Sequence, residues 1–267
     1  MKNALAALRA AVTSRPTLLP MLLLLLMALA ATARATEPPP VLRLTTSEFP
    51  PLINQAHDGF LDRVILEAMR RAGIEAEIVL LPNARAIKST DEGEYDGNFV
   101  RIAGLERLFP HLIPVPEKIM DMVFVAFATP GLTVHEDGWE IVRDRNVVLL
   151  RGWKLYEEGV LAYHPRTALT VTEPDQLFRM LHAGHTDLAL YELWSGRYLL
   201  KQLGIDDIHV VEPPLTVHEM FLYLHERHAA LAPRIAAALR DMKQDGSYQR
   251  LVDELLEPLR GAGKDAP

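Results

Sequence analysis

In the first third of the chain, apolar residues recur with two alternating periods, and this alternation limits the fold more than any other feature of the sequence. Val41–Thr46 alternates and is rich in β-branched residues, as a strand requires. Apolar residues then follow at helical spacing over Leu61–Ala72, with Gly73 at the position of a helix end. Ile74–Leu80 alternates again. A strand, a helix and a strand in this order form a βαβ unit, so we expect an α/β fold with a parallel sheet.

The middle of the chain repeats this pattern and predicts a second α/β unit. A helix beginning at Pro174 lies between strand patterns, and two amphipathic helices separated by Asp245–Ser247 complete the chain. Because these last helices have no sheet of their own, we expect them to pack back onto the first unit. The strand patterns of this part cover Asn146–Leu150, Asp187–Tyr191, Ile208–Val211 and Met220–Leu224.

A chain that returns to its first unit crosses between two lobes twice, and two crossing strands form a hinge beside a cleft. We therefore expect one lobe from residues 36–128 plus 217–262 and a second lobe from residues 129–216. Residues 263–267 are predicted to be a disordered tail.

The N-terminal segment has the pattern of a secretory signal peptide. Three basic residues and no acidic residue precede the apolar run Met21–Ala31, and small residues follow it. The run is too short to span a bilayer, which takes about 20 residues. We expect residues 1–35 to be removed near Ala33 or Ala35, and the remainder to be periplasmic.

The net charge and the absence of cysteine limit the classes of partner that the protein can bind. The chain carries 28 basic and 35 acidic residues, a net charge of −7, and the expected signal peptide contributes only basic residues to this sum. An acidic protein of this kind repels nucleic acid and anionic membrane surfaces. Cysteine is absent, so there is no disulfide and no lipid-modified cysteine to tether the protein. We expect a freely diffusing monomer that binds a small molecule.

Six short motifs occur in a recognisable order. They are Phe49-Pro50-Pro51, Gly59-Phe60-Leu61-Asp62, Gly93-Glu94-Tyr95-Asp96, Glu106-Arg107, Gly184-His185-Thr186-Asp187 and Asp245-Gly246-Ser247-Tyr248. This order resembles extracellular solute-binding protein family 3, the periplasmic receptors of amino-acid ABC transporters. The resemblance implies a periplasmic binding protein type 2 fold, capture of a small polar ligand by hinge closure, and an ABC permease as partner.

Three departures from the family's pattern suggest a less characterised branch. Pro114–Glu117 replaces the family's Ser-x-Pro-Tyr, and Gly152-Trp153-Lys154 replaces its Gly-Ser/Thr-Thr loop. Glu192 stands where amino-acid binders often have Asp. The ligand class is therefore left as an amino-acid-like molecule or a small carboxylate.

Candidate ligand contacts follow from the chemistry of a small zwitterion, which needs a cation for its carboxylate and an anion for its amine. Arg101 ends a predicted strand, where ligands of open α/β sheets bind, and its planar fork suits a carboxylate. Glu192 ends another strand and could accept an ammonium group. The remaining candidates are aromatic, basic or backbone groups near predicted strand ends: Phe49, Arg85, Arg107, Gly152, Trp153 and Tyr191.

No metal, cofactor or catalytic residue is expected. His182-x-x-His185 and His225-x-x-His228 have helical spacing, but no carboxylate or cysteine cluster completes a metal site. Two other functions stay open. One is an enzyme similar to cyclohexadienyl dehydratase, with Glu192 or Glu117 as general acid. The other is an orphan sensor that presents its ligand to a membrane receptor.

Overall fold

The computed structural model describes residues 41–132 and 138–261 of the chain. The expected signal peptide, residues 1–35, and the expected tail, residues 263–267, lie outside the described residues. Within the described ranges, no helix has both the length and the apolar character needed to cross a membrane.

Strands and helices alternate along most of the described chain, as the sequence predicts. The strands are β1 (Leu42–Thr46), β2 (Ala76–Leu80), β3 (Gly97–Ile102), β4 (Leu112–Pro114), β5 (Met120–Ala128), β6 (Asn146–Leu150), β7 (Thr167–Val171), β8 (Leu188–Glu192) and β9 (His209–His225). The α-helices are α1 (Phe60–Arg71), α2 (Asn83–Asp91), α3 (Lys154–Ala162), α4 (Pro174–His182), α5 (Leu193–Leu203), α6 (Ala232–Gln244) and α7 (Ser247–Leu255).

The strands form one sheet with two parallel halves, in the order β2-β1-β3-β9-β5-β8-β6-β7. β1 pairs in parallel with β2 and β3, and β6 pairs in parallel with β7 and β8. The carboxyl ends of β1, β2 and β3 therefore share one edge, and those of β6, β7 and β8 share another. The expected βαβ unit and parallel sheet are confirmed.

β5 and β9 join the two halves. β9 pairs with β3 in one half, and its antiparallel pairing with β5 spans both halves. The sequence predicted two separate strands here, and the structure has a single long strand instead. The pairing shifts register between Phe124–Thr216 and Ala126–Val211, which leaves Glu212–Leu215 outside the ladder. Pro213 and Pro214 lack an N–H group, and they lie where no ladder bond is required of them.

The C-terminal helices cover the first half of the sheet, as expected. α1 contacts both α6 and α7. The rings of Phe60 in α1 and Tyr248 in α7 meet edge to face, with centroids 5.4 Å apart. Arg71 of α1 binds Asp245 at 2.6 Å, between α6 and α7. This packing buries the apolar face of α1 and completes the core of the first half.

Gly196 in α5 lies against the ring of Phe127 in β5. A Cβ atom at this position would overlap the ring of Phe127, which is fully buried. We expect Gly196→Ala to lower the free energy of unfolding by about 1–3 kcal/mol, because overpacking outweighs the better helix propensity of alanine. Urea denaturation measures this change. Lys201→Ala, on the exposed side of the same helix, should change stability by less than about 0.5 kcal/mol. Equal effects of the two substitutions would contradict this packing.

Candidate ligand-binding cleft

Three predicted aromatic residues from both halves of the sheet meet in one cluster. Phe49 follows β1, Trp153 follows β6, and Tyr191 lies near the end of β8. The ring centroid of Phe49 lies 5.2 Å from that of Trp153 and 5.8 Å from that of Tyr191, and the Trp153 and Tyr191 centroids lie 5.2 Å apart. We call these three residues the aromatic cluster. It connects the loop after β1 with the carboxyl edge of the other half.

Further aromatic residues that the sequence did not single out surround this cluster. Tyr156 in α3 stacks on Trp153, with centroids 5.8 Å apart. Phe124 in β5 contacts the rings of Trp153 and of His218 in β9, at centroid distances of 6.2 and 5.8 Å. The contacts of Phe124 join segments that are distant in sequence, so no short sequence pattern could have indicated them.

Glu192 is fully buried beside the cluster and also caps a helix. Its Oε2 accepts a hydrogen bond of 2.9 Å from the backbone N–H of Ser195, in the first turn of α5. Its Oε1 is buried without a hydrogen-bond partner among the described residues. Burial raises the pKa of Glu192 to about 7, and the hydrogen bonds at the helix end oppose part of this rise. The carboxyl group can therefore exchange a proton near neutral pH.

The position of Glu192 also affects its aromatic neighbours. Burial, and then the nearby Glu192 carboxylate, raise the pKa of Tyr156 and of Tyr191 far above the usual value for tyrosine. Both phenols therefore remain protonated at physiological pH. They give this side of the cleft apolar rings with neutral hydroxyl groups.

Arg101 near the end of β3 is a buried cation without a carboxylate partner in the described parts of the chain. Its relative exposure is 9%. Nη1 donates a 2.8 Å hydrogen bond to the carbonyl oxygen of Val100, and Nη2 is buried without a hydrogen-bond partner. Burial lowers the pKa of Arg101 to about 10, so the guanidinium group stays charged at neutral pH. A buried charge of this kind is costly unless an anion binds to it.

Arg101 and Glu192 belong to opposite halves of the sheet. Arg101 pairs with Phe221 on β9, and Glu192 pairs with Phe124 on β5, which in turn pairs with Thr216 on β9. Phe221 and Thr216 are five residues apart, roughly 17 Å along the strand. The two ionisable groups are thus separated by β9 and β5, the strands shared by both halves.

The other predicted contacts lie in more exposed places. Arg85 is exposed in the first turn of α2, and Arg107 is exposed in a short 3₁₀ helix. Gly152 is exposed, and its N–H donates to the carboxylate of Glu157 at 2.9 Å. This backbone N–H therefore already has an anionic partner within the chain. None of these three residues belongs to the aromatic cluster.

Surface cavities occur away from these residues. One of about 560 Å³ lies between the loop after β1, Tyr198 and Glu254, and one of about 410 Å³ lies beside Arg145 and Arg166. Neither is lined by Arg101, Trp153 or Glu192. The rings of the aromatic cluster pack directly on one another where the two halves meet.

Among the residues that the structure describes, no group of three or more His, Cys, Asp or Glu side chains is arranged to hold an ion. His182 instead pairs with Asp207 at 2.9 Å, outside its own helix.

Sequence comparison gives one weak relative, and solved structures give clear matches to the fold. No protein-family model matches the chain. An uncharacterised protein of Shewanella oneidensis is 25% identical over 203 residues, which are 73% of this chain and 75% of that protein. The GluR0 ligand-binding core in complex with L-glutamate matches with a TM-score of 0.71 and 12% identity, over 82% of this chain and 100% of that one.

Two further solved structures match the same fold. A histidine kinase sensor domain with similarity to periplasmic binding proteins has a TM-score of 0.65 and 17% identity, over 82% of this chain and 96% of that one. An ancestral arginine-binding protein bound to arginine has a TM-score of 0.63 and 15% identity, over 80% and 97%. The chain has the two-lobed fold of periplasmic binding proteins. The expected α/β fold class is confirmed.

Proposed function

We propose that this protein is a periplasmic solute-binding protein that captures a small anionic or zwitterionic molecule. The observation that carries this proposal is the buried Arg101 guanidinium group, whose Nη2 lacks a partner among the described residues. A protein retains such a charge when a ligand supplies the missing anion, because the two groups then stabilise each other where water does not screen them.

The other half of the cleft supplies groups for the rest of an amino-acid-like ligand. Glu192 presents a buried oxygen, Oε1, that can accept a hydrogen bond from an ammonium group. When the lobes open and Phe49 moves away, Trp153 and Tyr191 can offer ring faces to an apolar or cationic side chain. The neighbours with this fold include proteins described with bound L-glutamate and bound arginine, which supports a ligand of the amino-acid class.

Binding by closure of the two lobes fits the shared strands. We assign residues 36–128 plus 217–262 to one lobe and residues 129–216 to the other, joined by β5 and β9. The register break at Glu212–Leu215 lies in this connection, so bending there disturbs few ladder bonds. Contacts of Phe49 with Trp153 and Tyr191 would be remade around a ligand during closure.

Export and transport complete the proposal. Residues 1–35 would direct the chain to the periplasm, with cleavage near Ala33 or Ala35. The closed form of a monomer would then deliver its ligand to an ABC permease in the inner membrane.

A thermal-shift panel tests the ligand class. At a concentration 100 times the Kd, a true ligand stabilises by about 2.7 kcal/mol, which corresponds to a rise in Tm of roughly 5–10 °C for a chain of this size. We expect this rise from at least one member of a panel of the 20 L-amino acids and small dicarboxylates, and none from neutral sugars. A shift with sugars alone would contradict a site built on Arg101.

An enzyme is the second candidate, because the pKa of Glu192 lies near 7, where a carboxyl group can serve as a general acid. Prephenate or arogenate turnover, followed by ultraviolet absorbance, tests it. Turnover by the wild-type protein that is lost in Glu192→Gln would replace the binding proposal. The absence of turnover, together with a thermal shift, supports binding alone.

A further inference from the structure

Val100, inside β3, has a backbone conformation that its side chain disfavours. Its φ is +62°, in the left-handed region. A β-branched residue rarely adopts this conformation, because the side chain crowds the backbone. Such strain persists only where the surrounding structure enforces it, and it often occurs at functional sites.

The conformation of Val100 creates a β-bulge that sets the direction of Arg101. Phe99 pairs with Leu222, and Arg101 pairs with Phe221, so two steps along β3 match one step along β9. Neighbouring residues on β9 face opposite sides of the sheet. Phe99 and Arg101 therefore also face opposite sides, although residues two apart in a regular strand share a side.

The side of the sheet opposite to Arg101 forms part of the apolar core. Phe99, Leu222 and Met220 are buried there together. In a regular strand, Arg101 would pair with Met220 and would enter this core. The bulge places it instead on the side of Asn98, which binds Thr45 through Nδ2 and has a buried, unpartnered Oδ1. Arg101 thereby shares its side of the sheet with polar groups.

The carbonyl group of Val100 also fixes the guanidinium group itself. It accepts a hydrogen bond from Nη1 at 2.8 Å, and Nη2 has no partner in the described structure. One edge of the fork is thus held by the bulge, and the other remains available to a ligand.

We propose that Val100 is a positioning residue, and that its left-handed bulge and its carbonyl oxygen direct Nη2 of Arg101 toward the anionic group of the ligand. This inference rests on the proposed function, in which Arg101 binds a carboxylate. It adds that affinity depends on the bulge and not only on the presence of an arginine.

Deletion of Val100 tests the proposal directly, since Val100 is the extra residue of the bulge. A regular ladder can keep the pairs Phe99–Leu222, Arg101–Phe221 and Ile102–Met220, so Arg101 stays on its side of the sheet. The deletion removes the left-handed residue and the carbonyl oxygen that accepts the 2.8 Å hydrogen bond from Nη1, so the guanidinium group loses its anchor. We expect a folded protein whose Tm is at least that of the wild type, and whose Kd for L-glutamate or L-arginine, measured by calorimetry, rises at least tenfold. A residue with only a structural role would leave the Kd unchanged when the Tm is preserved.

Two substitutions serve as matched controls that keep the bulge. Val100→Gly and Val100→Ala both remove the side chain, but only glycine adopts a left-handed backbone without cost. We expect the Tm of Val100→Gly to exceed that of Val100→Ala by about 2–4 °C. If glycine is not the more stable variant, the left-handed bulge is wrong, and the proposal fails even if the deletion does not fold.

Arg101→Met separates failure of this inference from failure of the proposed function. If Arg101→Met abolishes binding and deletion of Val100 does not weaken it, the function stands and the positioning role is wrong. If Arg101→Met leaves the Kd unchanged, or if the wild type binds no member of the panel of 20 L-amino acids and small dicarboxylates, the proposed site fails, and the positioning role fails with it.

Discussion

Arg101→Met should make the unliganded protein more stable while removing its ability to bind ligand. The guanidinium group is buried without a carboxylate partner in the described residues, and methionine fills similar space without a charge. Replacing buried charges with apolar side chains commonly stabilises proteins by about 1–4 kcal/mol. We expect a gain of about 1–3 kcal/mol in the free energy of unfolding, measured in urea without ligand.

The same substitution should weaken ligand binding at least about 30-fold, because losing one partner of a buried charge pair costs about 2–5 kcal/mol. Opposite changes in stability and affinity would distinguish a binding residue from a structural one. Arg179→Met is the matched control, since Arg179 is an exposed arginine paired with Asp175. It should change neither quantity appreciably. A loss of more than about 1 kcal/mol in Arg101→Met would show that Arg101 stabilises the fold.

Glu192→Gln should change the pH dependence of both stability and binding. The pKa of Glu192 is about 7 in the folded protein and 4.5 when the group is unperturbed, so the folded state holds the proton more tightly. Its contribution to stability is then full below about pH 4.5 and is lost as the pH rises to about 7. The whole loss corresponds to about 3 kcal/mol.

Glutamine keeps an oxygen for the Ser195 N–H and cannot ionise. The free energy of unfolding of Glu192→Gln should therefore exceed that of the wild type by about 2–3 kcal/mol at pH 8 and by little at pH 5. Urea denaturation at several pH values measures this difference. The contribution of Asp62 to stability is also lost as the pH rises, because burial raises the pKa of Asp62 to about 6. Asp62→Asn therefore serves as the control: it should retain the loss between pH 6 and pH 8 that belongs to Glu192.

The pH dependence of ligand affinity gives a second test of the role of Glu192. A ligand ammonium group needs the ionised carboxylate, so the affinity of the wild type should rise with pH through about 7. In Glu192→Gln the affinity should be at least tenfold lower and independent of pH in this range. A stability difference that does not vary with pH would show that the carboxyl group is an ordinary ionised helix cap.

The sequence predicted the elements whose apolar pattern is set by burial on one side. The βαβ unit from β1 to β2 follows its alternation closely, because Leu42 and Leu44 of β1 and the apolar face of α1 are buried together. It did not predict β7, whose residues are mostly exposed at the sheet edge. Without burial, Thr167–Val171 carries no clear pattern.

Residues that serve two roles also limited the prediction. Glu192 was recognised as a strand end, but α5 begins directly after it and uses it as a cap. No turn residue separates the two elements, so the helix gave no start signal. The candidate site shows the same limit: Phe49, Trp153 and Tyr191 were each predicted, whereas the bulge at Val100 depends on a φ angle that valine itself disfavours.

The central position of β9 has a consequence for the order in which the chain acquires structure. β9 lies between β3 and β5, and its last residue, His225, is found after more than four-fifths of the 267-residue chain. The first half of the sheet is incomplete until this late segment emerges from the ribosome, because β3 pairs with β9. Contacts of such long sequence separation fold slowly. Most of the 267 residues are therefore synthesised before the first half of the sheet can be completed.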